Sequence, residues 1–208
     1  MVKLPRQPQV ADLVRHGPDV HVLSAGTRLR RVYFQSGEHS AQWNFFRFYG
    51  PIDRSRFDHH MPPPSLAQRG ILYAAREITT CLAELFQDSR IINTRRRQPW
   101  VVSFALARDI ALLDLTGAWP TRAGASMAIN TGPRDRSRVW SRAIYEAYPQ
   151  VDGLYYCSSM HANRPAVALY ERAADAMPSN PLLNLPLTDP RLFTPLRNAA
   201  YSLGYRLV

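Results

Sequence analysis

A short apolar strand that runs into an amphipathic helix is the feature that most constrains the fold of this chain. Residues 70–75 (GILYAA) form an apolar segment of strand length that contains Tyr73. From about Glu77 to Asp88 the apolar residues recur with helical spacing, at Ile78, Cys81, Leu82 and Leu85. Glu84 lies on the flank of this stripe, eleven residues after Tyr73. We therefore expect an aromatic ring at a strand end and a helical carboxylate to face one cleft.

Two further strands carry polar groups of other kinds. A strand from Gly153 to Cys157 ends in the hydroxyls of Ser158 and Ser159, and a strand from Leu29 to Phe34 carries arginines. An arginine, a glutamate and a serine on three separate elements are typical of a site, since a repeated surface pattern would place like residues on like elements.

The remaining elements alternate irregularly along the chain. Further strands are predicted at 100–107, 110–115 and 166–170, and further helices at 135–148 and 189–204. The aromatic-rich segment 37–64 is predicted as a loop, and the segment 116–133 as a loop with room for a short helical turn. This order predicts a single domain of the α/β mixed (α+β) class, without the regular alternation of a doubly wound sheet.

Charge and composition restrict the class of partner. The chain has 208 residues, a formal net charge of +10 and a hydrophobic fraction of 46%, as expected for one globular domain with an anionic partner. Lys3 is the only lysine, so arginine supplies the positive charge. We expect a cytoplasmic protein with two free thiols, Cys81 and Cys157, because no apolar segment has the length of a signal peptide or a membrane span.

Several common catalytic motifs are absent from the sequence. It contains no G-x-G-x-x-G, P-loop, H-E-x-x-H or paired C-x-x-C motif, and its six histidines are scattered. Ser158 lacks the G-x-S-x-G elbow of a hydrolase nucleophile. We therefore expect no metal site and no serine-hydrolase triad.

The positions that remain resemble the RES domain, a family named for its Arg, Glu and Ser. The resemblance covers about residues 27–175 and rests on the order and spacing of Arg31, Arg56, Tyr73, Glu84, Trp140, Asp152–Tyr155 and Ser158. Cys157 stands where the family often has Pro. Three assignments have a neighbouring alternative: Ser158 or Ser159, Arg30 or Arg31, and Arg54 or Arg56. Trp140 is interpreted as a core residue despite its motif position.

The resemblance implies a fold and a domain division. RES domains are similar to ADP-ribosyltransferases, whose split mixed β-sheet with flanking helices binds NAD without a Rossmann motif. It implies a lead-in at residues 1–26, a catalytic domain at 27–175, and an extension at 176–208 whose helix packs on the domain. It also implies a bacterial toxin that destroys NAD and is restrained by an antitoxin with an Xre-type DNA-binding domain.

The resemblance also implies roles for single residues. Arg31 and Arg56 would bind the pyrophosphate of NAD, and Tyr73 would form a wall beside nicotinamide or its ribose. Glu84 would stabilise the positive charge that develops as the bond breaks. Ser158 would orient the ribose, phosphate or water. Glu84, Arg31 and Ser158 are thus the catalytic candidates.

Three functions remain open from the sequence. The first is cleavage of the nicotinamide–ribose bond of NAD by phosphorolysis or hydrolysis, with NAD as substrate, inorganic phosphate as a possible co-substrate and no further cofactor. The second is transfer of ADP-ribose to a protein. The third is a basic nucleic-acid-binding protein without catalysis, which the absence of a nucleic-acid-binding motif disfavours. For the first two functions we expect no nucleic-acid or membrane partner.

Overall fold

The computed structural model describes residues 8–37 and 41–208; predictions for residues 1–7 and 38–40 lie outside the described residues. In the described part the helices are α1 (Val10–His16), α2 (Ile78–Leu85), α3 (Trp119–Arg122), α4 (Ala128–Thr131), α5 (Arg134–Ala147) and α6 (Phe193–Leu203). None of them has the length and apolar composition that crossing a membrane requires. The strands are β1 (Val20–Leu23), β2 (Arg28–Phe34), β3 (Arg47–Gly50), β4 (Ser65–Ala75), β5 (Ile91–Ile92), β6 (Pro99–Ala105), β7 (Ile110–Asp114), β8 (Gly153–Cys157), β9 (Pro165–Tyr170), β10 (Leu183–Pro186) and β11 (Arg206–Leu207).

One large mixed sheet organises the domain. Its strands follow the order β1-β7-β8-β9-β4-β2-β6-β10, with β3 paired to β4. β7 and β8 run parallel, and the other neighbours in this sheet run antiparallel. The structure thus confirms the predicted mixed α/β class: a single domain with a mixed sheet and flanking helices.

The sheet splits between β2 and β4. β4 pairs with β9 from Ile71 to Ala75, but its pairing with β2 is confined to Arg30 and Ala75. β2 pairs along its whole length with β6 instead. The two strands therefore diverge beyond Arg30, which opens a cleft between the two parts of the sheet.

Each face of the sheet has its own hydrophobic core. On one face the helices α1, α2, α5 and α6 pack residues such as Leu82, Trp140 and Leu196 against the strands. Trp140 is 1% exposed, which confirms its predicted core position. On the other face Trp43 and a 3-10 turn at Glu171–Ala176 cover the strands. Apolar side chains on both faces make β4 and β9 the centre of the fold.

Two segments predicted as loops contain regular structure. β3 lies within residues 37–64 and pairs mainly with the first half of β4, which begins at Ser65, five residues before the predicted start. Ser65–Gln68 are all exposed, so this part of the strand has no apolar pattern by which to predict it. Residues 116–133 contain α3 and α4, each too short to show a helical repeat.

The chain segments outside 27–175 also contribute to the sheet. β1 pairs with β7 at one edge, and β10 pairs with β6 at the other. α6 ends at Gly204, whose φ of 66° is a left-handed conformation that favours glycine. After this turn β11 pairs with β5, just beyond α2. The segment 193–207 therefore supports the helix that carries Glu84.

Candidate active site

A cavity of about 800 Å³ occupies the split in the sheet. Its walls come from β2 beyond Arg30, from the end of β4, from α2, and from the segments around Arg56 and Arg134. This volume lies within the range of small-molecule sites in proteins, roughly 300–1,000 Å³. The cleft that strand divergence opens is therefore large enough for a ligand of nucleotide size.

Glu84 faces this cavity from α2 and is bonded to Ser158. The Ser158 hydroxyl donates to Oε1 of Glu84 at 2.5 Å. Burial raises the pKa of Glu84, while the hydrogen bond from Ser158 and the nearby charges of Arg56 and Arg134 act in the opposite direction. Ser158 thus fixes the orientation of the carboxylate. The hydrogen bond and the nearby positive charges do not fully offset the cost of burying its negative charge.

The position of Ser158 explains why its proton goes to Glu84. Its Oγ accepts backbone N–H groups of Met160 at 3.2 Å and His161 at 3.1 Å, which leaves the hydroxyl proton for the carboxylate. Ser158 is fully buried and does not line the cavity, whereas the neighbouring Ser159 is exposed and lines it. Of the two serines, Ser158 is the one that contacts the glutamate.

The structure separates Arg30 from Arg31. Arg31 lines the cavity, and its Nη1 donates to the backbone oxygens of Trp43 at 3.0 Å and Phe45 at 3.1 Å. Burial lowers the pKa of Arg31 to about 10. Arg30 instead donates to the backbone oxygen of Arg76 and lies outside the cavity lining. Arg31 is therefore the arginine of β2 that a ligand in the cavity can reach.

Both Arg54 and Arg56 line the cavity, but they differ in surroundings. Arg54 is exposed, whereas Arg56 is half-buried and donates to the backbone oxygen of Gly132. Burial and then the charge of Arg134 lower the pKa of Arg56, and Glu84 acts to raise it. Arg56 therefore belongs to the charged group around Glu84.

Tyr73 lines the cavity at the end of β4, and its ring is fixed by a hydrogen bond. The hydroxyl accepts the backbone N–H of Phe57 at 3.1 Å, and burial raises its pKa. Tyr156 lies in the same wall with its ring 4.8 Å from that of Phe57, centre to centre. The rings of Tyr73 and Tyr156 therefore give the cavity an aromatic stretch of lining beside its polar groups.

Comparison with known families decides what kind of domain this is. A model of the RES domain matches residues 28–188, most of the chain. This chain belongs to the RES domain family. Among solved structures, a chain of the M. tuberculosis MbcT–MbcA toxin–antitoxin complex has the same fold, with a TM-score of 0.58 and 17% sequence identity over 91% of this chain and 96% of that one. No curated protein matches the chain.

Sequence reasoning missed some residues that this RES domain brings to the site. Arg134 lines the cavity from the first turn of α5 and donates to the side chain of Gln87 at 2.6 Å, which in turn donates to the backbone oxygen of Glu84. A basic residue at a helix N-terminus is unfavourable for the helix dipole, and this was an available signal. Tyr156 and Asn130 gave no such signal, because nothing local sets them apart.

The lining of the cavity is strongly cationic. Its arginines are Arg31, Arg47, Arg54, Arg56, Arg96, Arg97 and Arg134. Among the described residues, Glu84 and Asp88 are the carboxylates that line it. The same part of the chain has no group of three or more His, Cys, Asp or Glu placed to hold a metal ion. An anionic ligand fits this cavity best, because guanidinium groups bind phosphate oxygens through paired hydrogen bonds.

Proposed function

We propose that this RES domain binds NAD in the cavity and cleaves its nicotinamide–ribose bond. The observation that carries the proposal is the position of Glu84: a carboxylate held by Ser158, close to two arginines, in the wall of an arginine-lined cavity. NAD has a pyrophosphate that suits the arginines and a ribose that suits a carboxylate. Membership of the RES domain family supports the same substrate, since the family resembles NAD-binding ADP-ribosyltransferases.

The chemistry requires an anion beside the reacting ribose. As the bond from ribose C1′ to the ring nitrogen breaks, its electron pair leaves with nicotinamide and positive charge develops on the ribose. An ionised Glu84 stabilises that charge electrostatically. Ser158 acts through Glu84 by fixing the carboxylate, and the aromatic wall at Tyr73 excludes water from the leaving group.

The acceptor completes the reaction by forming a bond to C1′. With water the products are nicotinamide, ADP-ribose and a proton; with inorganic phosphate they are nicotinamide and a phosphorylated ADP-ribose. Two guanidinium groups near Glu84, those of Arg56 and Arg134, favour an anionic acceptor. Phosphorolysis is therefore the form of the reaction that the site favours, with transfer to a protein as the alternative acceptor.

The biological role that we propose is that of a toxin restrained by a partner. Support comes from the fold shared with a chain of a toxin–antitoxin complex and from membership of the RES domain family. Loss of NAD would stop growth, so a cell that makes this enzyme needs an antitoxin, which we expect to carry an Xre-type DNA-binding domain. The net charge of +10 suits an acidic partner surface.

The decisive experiment follows NAD by NMR with and without inorganic phosphate. We expect nicotinamide release that depends on phosphate and is lost in Glu84→Gln. Glu77→Gln is the matched control, because Glu77 is an exposed carboxylate at the start of the same helix, outside the cavity lining. Release without phosphate would indicate hydrolysis. Intact NAD in every mixture would contradict the proposal, and labelled ADP-ribose on an added protein would instead indicate a transferase.

A further inference from the structure

The loop between β8 and β9, residues 158–164, is hydrogen-bonded to α2 at two points. The Ser158 hydroxyl donates to Oε1 of Glu84 at 2.5 Å. Nδ1 of His161 and Oγ1 of Thr80, one helical turn before Glu84, form a second hydrogen bond of 2.9 Å. Because a threonine hydroxyl can both donate and accept, this bond is compatible with either neutral form of the imidazole. Two successive turns of α2 therefore each hold one side chain of the loop.

The backbone conformation of this loop requires support from outside the loop. Ala162 and Asn163 have φ angles of 45° and 58°, a left-handed conformation that is unfavourable for residues other than glycine. Such a conformation persists where the surrounding structure fixes it. Arg164 Nη1 lies 3.7 Å from Oε1 of Glu77, but both side chains are exposed, and an exposed ion pair contributes little. The bond from His161 to the fully buried Thr80 is the stronger anchor, since water does not compete for a buried hydroxyl.

His161 also contacts Ser158 directly through its backbone. The backbone N–H groups of Met160 and His161 donate to Oγ of Ser158 at 3.2 and 3.1 Å. With these two bonds in place, the hydroxyl proton of Ser158 is directed to Glu84. The imidazole bonded to Thr80 fixes the residue that supplies one of the two N–H groups. The position of the His161 side chain therefore controls the hydrogen bond that orients Glu84.

We propose that His161 is a positioning residue, whose imidazole, bonded to Thr80, holds the turn that directs the Ser158 hydroxyl onto the carboxylate of Glu84. This inference rests on the proposed function, because it concerns the group that would stabilise the reacting ribose. His161 is not among the residues that line the cavity, so it acts on the reaction through Ser158 and not through the ligand.

A double-mutant cycle on nicotinamide release from NAD tests this route. His161→Ala should lower kcat about threefold or more and leave KM within about twofold, since the residue does not contact the substrate. In the Ser158→Ala background the same substitution should change kcat by less than about twofold, because its effect passes through the missing hydroxyl. A general loss of folded protein would lower the rate in both backgrounds. Equal losses in the two backgrounds would therefore overturn the inference.

Conservative variants test the hydrogen bond itself. His161→Asn should restore most of the wild-type rate, because the amide places a polar atom as many bonds from Cα as Nδ1 of the imidazole. Thr80→Val keeps the volume of the side chain and removes the hydroxyl, so it should reproduce the loss from the other end of the bond.

Arg164→Ala is the matched control, because it removes the exposed ion pair to Glu77 from the same loop and should leave kcat within about twofold. A rate in His161→Asn as low as in His161→Ala would contradict the role of the hydrogen bond. An equal loss in Arg164→Ala would contradict it as well.

The ionisation of Glu84 provides a measurement that needs no catalysis. Carboxyl ¹³C NMR on the protein without NAD follows this titration, and the signal is assigned by its absence in Glu84→Gln. The hydrogen bond from Ser158 and the charges of Arg56 and Arg134 act to lower the pKa of Glu84 against the effect of burial. Loss of the Ser158 bond alone should raise that pKa, so His161→Ala should move the titration midpoint to higher pH, toward its position in Ser158→Ala.

This titration separates the inference from the proposed function. A midpoint that moves to higher pH in His161→Ala, in a protein whose wild type releases no nicotinamide, would support the role of His161 and contradict only the proposed reaction. A midpoint that stays at its wild-type position in both His161→Ala and Thr80→Val would overturn the inference, whether or not the enzyme cleaves NAD.

Discussion

Two carboxylates, those of the fully buried Asp58 and the half-buried Glu84, differ in how completely the protein pairs them. Asp58 is fully buried, and one of its oxygens accepts from Nη2 of Arg47 and from the backbone N–H of Ile52, each at 2.8 Å. Its other oxygen pairs with Nδ1 of His60. These partners more than offset the effect of burial and lower the pKa of Asp58 to about 2.

Glu84 has one hydrogen-bond donor among the described residues, the hydroxyl of Ser158. Burial raises its pKa, and the arginines nearby counteract burial only in part. A carboxylate that holds the fold together has its lone pairs occupied by the protein itself. A carboxylate that acts on a ligand is oriented but left partly uncompensated, because its remaining capacity must be available to the ligand.

The largest effect is expected from removing Asp58, because partners within the protein occupy both of its carboxylate oxygens. Asp58→Ala leaves Arg47 and His60 without their buried partner, so we expect a loss of about 3–5 kcal/mol in the free energy of unfolding. Urea denaturation measures this loss. The matched control is Asp53→Ala, which removes a carboxylate whose side chain is fully exposed and should change stability by less than about 0.5 kcal/mol. A loss below about 1 kcal/mol for Asp58→Ala would contradict the structural role.

The next largest effect is expected from removing the charge of Glu84. Glu84→Gln keeps the shape of the side chain but removes its charge, so we expect kcat for nicotinamide release to fall by about 10²- to 10³-fold. The free energy of unfolding should not fall, because burial disfavours the ionised form that the substitution removes. A large loss of stability together with activity would show that Glu84 is a structural residue like Asp58.

Lowering the pH should reduce the stability of the protein, because carboxylates with lowered pKa values stabilise the fold only while they are ionised. Asp58 and Glu171 each have a folded-state pKa of about 2, below their ordinary values of 3.8 and 4.5, so the stability they contribute is present above those values and is lost as pH falls toward 2. At pH 3 each should have lost about 1–2 kcal/mol, which urea denaturation at pH 5 and pH 3 measures. Asp58→Asn should show a smaller difference between the two pH values. If Asp58→Asn lost as much stability between pH 5 and pH 3 as the wild type, Asp58 would not be a source of the acid sensitivity.

The smallest effect concerns the support of Glu84. Ser158→Ala removes the hydrogen bond that favours the ionised carboxylate, so the pKa of Glu84 should rise further. We expect kcat to fall about tenfold at neutral pH and the acid limb of the pH–rate profile to move to higher pH. Ser159→Ala is the control and should leave the acid limb in place. An unshifted limb in Ser158→Ala would show that the serine does not act through Glu84.

The sequence predicted Glu84 and Ser158 as site residues, from their places on a helix flank and after a strand together with the resemblance to RES domains. The structure brings the two side chains into contact, and their catalytic roles stay predictions. The choice between Arg30 and Arg31 was out of reach, since alternation on a strand does not say which face a cavity will occupy. The structure places Arg31, and not Arg30, in the cavity lining, and the role of Arg31 in binding stays a prediction.

Other parts of the site depend on contacts that no local pattern records. Asn130 lies on a helix of four residues, and its place in the cavity wall depends on the hydrogen bond from its Nδ2 to the backbone oxygen of Leu115. β3 forms because it pairs with an exposed part of β4, not because it buries an apolar face. The split in the sheet likewise reflects where two strands stop pairing, and tertiary packing decides that.

The support of α2 by the segment 193–207 has a consequence for protein synthesis. α2 packs against α6, and the hydroxyl of Tyr205 donates at 3.4 Å to the backbone oxygen of Ala83, 122 residues earlier in the chain. A ribosome therefore releases the helix bearing Glu84 long before the residues that hold it in place. The nascent chain lacks a finished cleft until translation has passed residue 207, so the activity that we propose for this cleft starts only after that point.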